Sequence, residues 1–126
     1  MSEKKQLVPA FTDDRGSITD ILAGENIDAV TLISFEPGAA RANHYHIKTI
    51  QWNYVLEGEL IYSSKGPFDA EAKEVTLKKG DFVESGLCVA HALKAVTASQ
   101  VLILTKGPRS GEDYESDTYR LKGPLL

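Results

Sequence analysis

The chain has 126 residues and three histidines, and two of these stand together: "NHYHIKTIQ" places His44 and His46 two residues apart, with Gln51 five residues beyond. On a β-strand, residues two apart share a face and lie roughly 6.5 to 7 Å apart along the strand. From there both imidazoles reach one ion at about 2.0 to 2.2 Å, the usual metal–nitrogen distance. His91 ends the stretch "KKGDFVESGLCVAH", in which a glycine turn, a short strand and a second turn deliver a third imidazole at the start of a further strand. No histidine is spent elsewhere, so the pattern points to a metal site of His44, His46 and His91. Gln51 has the opposite parity to the pair, but "IKTI" is long enough to turn between strands and return the amide to the same centre as a fourth ligand. Imidazole donors suit a divalent transition metal (zinc, iron, nickel, cobalt, manganese or copper) better than magnesium or calcium.

Such a site needs rigid strands around it. The segments Ala29–Phe35, Gln51–Leu56, Glu59–Ser63, Glu74–Leu77, Asp81–Glu84, His91–Ala95 and Gln100–Thr105 are short, rich in Val, Ile, Leu, Thr and aromatics, and bounded by turn residues such as "EPGA", "KKGD" and "KGPRSG". Many short strands at a spacing of roughly 8 to 12 residues, with no long stretch of helical period, predict an all-β sandwich or barrel. "WNYVLEGELIYS" reads as a hairpin about Glu57-Gly58, because glycine accepts the positive φ that a tight turn demands. If Gln51 points inward, so do Asn53 and Val55, which makes Asn53 a pocket residue. Trp52, Tyr54 and Leu56 then fall on the other face, to be covered by a second sheet or a dimer partner.

The composition narrows the function classes. A chain of this length fits one domain, residues 1–126, with residues 1–10 as an extended arm and 107–126 as a surface tail that packs in part through Tyr114, Tyr119 and Leu121. A domain of this size buries roughly two-thirds of its unfolded surface and needs no staple. The single cysteine, Cys88, has no partner for a disulfide within the chain, and "MSEKKQLVPA" lacks a signal-like apolar run, so a cytoplasmic setting is expected. No apolar run approaches the ~20 residues needed to cross a bilayer. With 18 acidic against 14 basic residues and no basic stripe, nucleic acid is not expected as a partner.

The histidine pattern resembles that of the cupins. Their first motif, G-x5-H-x-H-x3,4-E-x6-G, is matched by Gly38, His44, His46, Gln51 in place of the glutamate, and Gly58. Their second, G-x5-P-x-G-x2-H-x3-N, is matched at Gly80 and His91, with Gly86, Cys88 and Ala95 replacing the usual proline, glycine and asparagine. The resemblance implies an all-β double-stranded β-helix, a jelly-roll barrel with a divalent metal at its mouth, in a protein that commonly forms a homodimer. In it Gln51 offers a neutral oxygen where the glutamate is anionic. The ion's charge then goes uncompensated, which favours an anionic or enolate-like ligand.

Two further stretches, "TDDRGSITDIL" and "DTYRL", resemble cupins that act on nucleotide sugars, among them the C-terminal domain of capsular-polysaccharide sugar reductases and the sugar-nucleotide epimerases and ketoisomerases. Asp13, Arg15 and Gly16 match the opening segment, and Asp117, Thr118 and Tyr119 the closing one. No Rossmann or P-loop glycine pattern accompanies them. The expectation is an epimerase or isomerase of a keto sugar, its substrate a small molecule, anionic or nucleotide-linked. With the histidines engaged as ligands, Tyr54, Tyr62 or Glu84 would carry the proton as the catalytic group. A three-histidine iron(II) dioxygenase and a non-catalytic small-molecule-binding protein are the alternatives.

Overall fold

The computed structural model describes residues 3–108 and 111–126. Its elements are, in order, β1 (Lys4–Gln6), β2 (Phe11–Asp13), β3 (Gly16–Ile18), β4 (Ala29–Phe35), β5 (Ala40–Tyr45), β6 (Ile50–Glu57), β7 (Glu59–Lys65), β8 (Lys73–Lys78), β9 (Asp81–Ser85), β10 (Ala90–Ala95), β11 (Ser99–Lys106), α1 (Gly111–Ser116) and β12 (Tyr119–Arg120). One five-stranded sheet runs β1-β9-β6-β11-β4, a second runs β12-β5-β10-β7-β8, and β2 and β3 form a separate hairpin. All the pairings are antiparallel. Two such sheets closed face to face make the jelly roll that the strand spacing and the cupin pattern predict.

Alternation along each strand builds the core. Val55 from β6, Leu60 and Tyr62 from β7, Leu77 from β8, Val83 from β9 and Val101 from β11 are fully buried and meet Phe35, Leu93 and Ile103 between the sheets. The turn from β6 to β7 depends on Gly58, whose φ is 93°. A Cβ there would lie 2.5 Å from the carbonyl oxygen of Ala98 and closer still to the Ser99 hydroxyl. No other residue fits that turn without moving the start of β11.

Part of the face that carries Trp52 is covered by the chain's own segment before β4, which the sequence did not announce. Leu22 lines a surface cavity with Trp52, Phe82 and Glu84, and Ile21, Leu22 and Ile27 line another with Leu102 and Leu104. The segment before β4 thus lies over this sheet, and Trp52 is left 4% exposed. Val30 and Leu32, further along the same sheet, are exposed. Of the 1–10 arm, Lys4–Gln6 form β1, which pairs with the edge of β9, while Met1 and Ser2 lie outside the described residues. The tail is more structured than its turn-rich sequence suggests: α1 is a short helix, and β12 pairs with β5 alongside His44 and Tyr45. Arg109 and Ser110 of that tail lie outside the described residues. No helix among the described residues is long and apolar enough to cross a membrane.

Candidate metal centre

His44 stands near the end of β5, His46 just beyond it and His91 near the start of β10; His44 and His91 are directly paired across the two strands. All three imidazoles are buried. The ring of His44 lies 4.6 Å from that of His46 and 4.9 Å from that of His91. One ring nitrogen from each lies within 4.8 Å of the others. Tetrahedral bonds of about 2.1 Å place donors roughly 3.4 Å apart, so a small contraction brings this cluster onto one ion.

The ring tautomers follow from the partners. His46 Nδ1 is 3.0 Å from the carbonyl oxygen of Asp117, and His91 Nδ1 is 3.0 Å from that of Val89. A carbonyl only accepts, so both Nδ1 atoms carry the proton and both Nε2 atoms present a lone pair. That is the arrangement in which an outer partner orients a metal-ligating histidine. His44 Nδ1 is buried and has no hydrogen-bond partner among the described residues. Burial, then the neighbouring charges of His91, His46 and Arg120, lower the His44 pKa from 6.5 to about 3. Burial, joined by His46 and opposed by the hydrogen bond to Val89, lowers that of His91 to about 4. Neutral imidazoles with oriented lone pairs and an orphaned buried nitrogen fit a divalent transition metal.

A cavity of about 70 Å³ opens beside the cluster, lined by His44, His91, Gln51, Asn53, Arg41 and Tyr114 among polar residues and by Ile33, Phe35, Leu93 and Ile103 among apolar ones. Gln51 reaches it from β6, and its Nε2 donates to the Thr105 hydroxyl at 3.3 Å. The nitrogen end of the amide is thereby committed, so the oxygen is the end available to a cation. Arg41 lies with its guanidinium 5.3 Å over the Phe35 ring and donates to the Ser34 carbonyl at 3.1 Å.

A family model described as the polysaccharide biosynthesis C-terminal domain matches residues 11–119. The chain belongs to that family. Solved structures share its fold. The sugar 3,4-ketoisomerase QdtA from Thermoanaerobacterium thermosaccharolyticum, in complex with TDP, superposes with a TM-score of 0.76 at 21% identity over 96% of this chain and 88% of that one. The capsular polysaccharide assembling protein CapF from Staphylococcus aureus gives 0.69 at 21% identity over 93% of this chain, which spans 33% of CapF. The dTDP-4-dehydrorhamnose 3,5-epimerase from Sulfolobus tokodaii gives 0.68 at 15% identity over 87% and 77%. No curated protein matches the chain.

Within this polysaccharide biosynthesis C-terminal domain, the residues expected to do chemistry separate into three places. His44, Gln51, Asn53 and His91 line one cavity, with His46 ring to ring against His44. Tyr62 stands behind them: its ring is parallel to that of His91 at 6.4 Å, and its hydroxyl lies 2.8 Å from Ser85 Oγ, which also accepts from Asn53 Nδ2 at 3.1 Å. Tyr54 and Glu84 are not brought to the histidines. Tyr54 alternates outward from Asn53 and Val55, and Glu84 accepts a 2.9 Å hydrogen bond from Trp52 Nε1 on the outer face of the sheet. The physical reason is the parity of β6 and β9, which turns both side chains to the outer face of the sheet.

The Asp-x-Arg-Gly match also has a local account. Asp13 accepts from the Arg15 guanidinium and amide, and these bonds, the guanidinium's first and the amide's second, outweigh burial and hold its carboxyl below the usual range. The pair closes the exposed turn between β2 and β3, away from the histidines. Cys88, with φ of 63°, donates its amide to the His46 carbonyl at 2.7 Å. Its role is thus carried by the backbone.

Two site residues were missed by the sequence reasoning. Tyr114, on α1, lines the cavity with its ring 5.2 Å from that of His46. Asp117, singled out only as part of a family-like stretch, is 4% exposed and accepts from the amides of Ile47 and Lys48 and, at 2.7 Å, from the Thr49 hydroxyl. Burial acts to raise its pKa, but the bonds from Thr49, Lys48 and Ile47, with the charge of His46, outweigh it and leave the carboxyl lowered. A buried carboxylate that binds the loop after His46 therefore fixes that imidazole from two directions.

Proposed function

We propose that this chain is an isomerase or epimerase of a keto sugar, nucleotide-linked, whose three histidines hold a divalent transition metal. The observation that carries the reading is the cluster of three buried imidazoles, two of which, His44 and His91, line one small cavity. Its family membership and its fold likeness to a TDP-sugar ketoisomerase and a TDP-sugar epimerase support the substrate class.

His44, His46 and His91 would be the ligands and Gln51 the fourth, through its amide oxygen. Once bound, such an ion is a Lewis acid that polarises a carbonyl. The chain's own residues do the rest. Asn53 is held by the Val83 carbonyl and Ser85, giving the cavity a rigid polar wall. Ile33, Phe35, Leu93 and Ile103 exclude water from it. Tyr114 is the proton carrier in this reading, a phenol on the cavity wall beside His46 that exchanges a proton with the carbon next to the carbonyl. The cavity is well below the several hundred Å³ of a typical ligand pocket. It takes the reacting edge of a sugar, and an anionic remainder would lie outside, across Arg41.

The deciding experiment is incubation with TDP-4-keto-6-deoxyglucose in deuterated water, followed by proton NMR. Loss of the signal next to the keto group is expected, and absence of any exchange in metal-loaded protein would sink the catalytic reading. Full exchange after complete chelation would remove the metal from it and leave the imidazoles as proton acceptors.

A further inference from the structure

The strand that carries His44 is irregular immediately before it. His91 pairs with His44, but Ala92 pairs with Ala42, so Asn43 is an extra residue in β5 with no opposite number on β10. Ala42 and Asn43 both have positive φ, 72° and 56°. Asparagine tolerates that region, whereas an alanine is rarely found there. The bulge changes parity: in an unbroken strand Arg41 and His44, three apart, face opposite sides, yet here both line the same cavity.

Something must hold so strained a backbone. Asn43 Oδ1 accepts from the amides of Leu125 at 2.7 Å and Leu126 at 3.2 Å, and its Nδ2 donates to the Leu126 carbonyl at 3.1 Å. Its own carbonyl accepts from the Leu121 amide at 2.9 Å. Four hydrogen bonds from one short stretch thus converge on the single bulged residue.

We infer that Asn43 is a positioning residue: clamped by Leu121, Leu125 and Leu126, it maintains the bulge that turns His44 and Arg41 into the same cavity. Asn43 is not among the residues that line the cavity, and it acts through the direction of β5. The inference rests on the reading of His44 as a site residue, and the experiment separates the two.

Aromatic 1H–13C NMR of the full chain reads the aim of His44 directly, because its ring lies within ring-current range of His46 and His91. Asn43→Gly keeps the freedom for positive φ but drops the amide, and Asn43→Ala loses both. Both variants are expected to shift the His44 ring resonances and to weaken Co²⁺ binding, followed by its visible absorption, about tenfold or more, the usual cost of disturbing an outer partner. Asn43→Asp keeps an acceptor oxygen for the amides of Leu125 and Leu126 but sets its second oxygen against the Leu126 oxygen in place of a donor, so it is expected to be displaced from the parent in both readouts. Unchanged His44 resonances in folded Asn43→Gly would overturn the inference, as would Asn43→Asp, which puts an oxygen against the Leu126 oxygen, matching the parent in both readouts. Failure of the parent chain to bind Co²⁺ would count against the metal reading alone, and the resonance comparison would still decide the role of Asn43.

Discussion

His46 and Asp117 are linked twice over: the imidazole Nδ1 donates to the Asp117 carbonyl at 3.0 Å, and the Asp117 carboxylate gathers the amides of Ile47 and Lys48 immediately after the histidine. Asp117→Ala strips three donors of their buried acceptor. A loss of about 2 to 4 kcal/mol is expected, since each stranded polar group costs on the order of 1 to 3. Urea denaturation at neutral pH measures it, and a loss below about 0.5 kcal/mol would show that the carboxylate has no such role. Because the folded carboxyl is lowered, this contribution is present above the unfolded value of 3.8 and is lost as pH falls through the folded one.

Tyr114 has its own kinetic signature. Tyr114→Phe keeps the ring beside His46 and removes the phenol, so kcat is expected to fall about 10² to 10⁴-fold while KM changes little. A phenylalanine variant with parental kcat would remove Tyr114 from the proton path.

The imidazoles give the metal-free protein a distinctive acid response. His44 and His91 have folded values of about 3 and about 4 against 6.5 for the open chain. Between those values the unfolded chain binds more protons than the folded one, so stability rises with pH there. It is fully present above about pH 6.5 and is progressively lost as pH falls towards 4 and then 3. Thermal melts between pH 7.5 and 4.5 should show Tm descending through this window, and His44→Leu should flatten the descent. Equal slopes in the two proteins would contradict the assignment.

Metal retention separates the ligands. His46→Ala should lose most of the metal found in the parent by elemental analysis, and Gln51→Ala, which gives up only a neutral oxygen, should weaken affinity by roughly tenfold. Full stoichiometry in His46→Ala would dismantle the cluster as a metal centre. Loss in His46→Ala with undiminished affinity in Gln51→Ala would move the amide from ligand to cavity wall.

Much of the architecture was legible because its signals are local. The β6–β7 turn rests on Gly58, and period-two alternation in "QWNYV" turns Gln51, Asn53 and Val55 inward. The same alternation explains why Tyr54 never meets the histidines. Glu84 was misplaced because the side its strand presents depends on its pairing opposite Trp52, a contact between residues 32 apart. The bulge at Ala42 and Asn43 carries no glycine to announce it. Tyr114 and Asp117 reach the site only when the tail folds back on β5, which no periodicity records. Local pattern thus gave the imidazoles, while long-range pairing supplies what aims them.

The bond between His46 and Asp117 spans 71 residues. The three imidazoles are all in place in the chain by residue 91, but the anchor for this one and for the loop after it is supplied only at residue 117. Any chain ending before Asp117 would therefore carry three histidines and lack the bonds that hold His46.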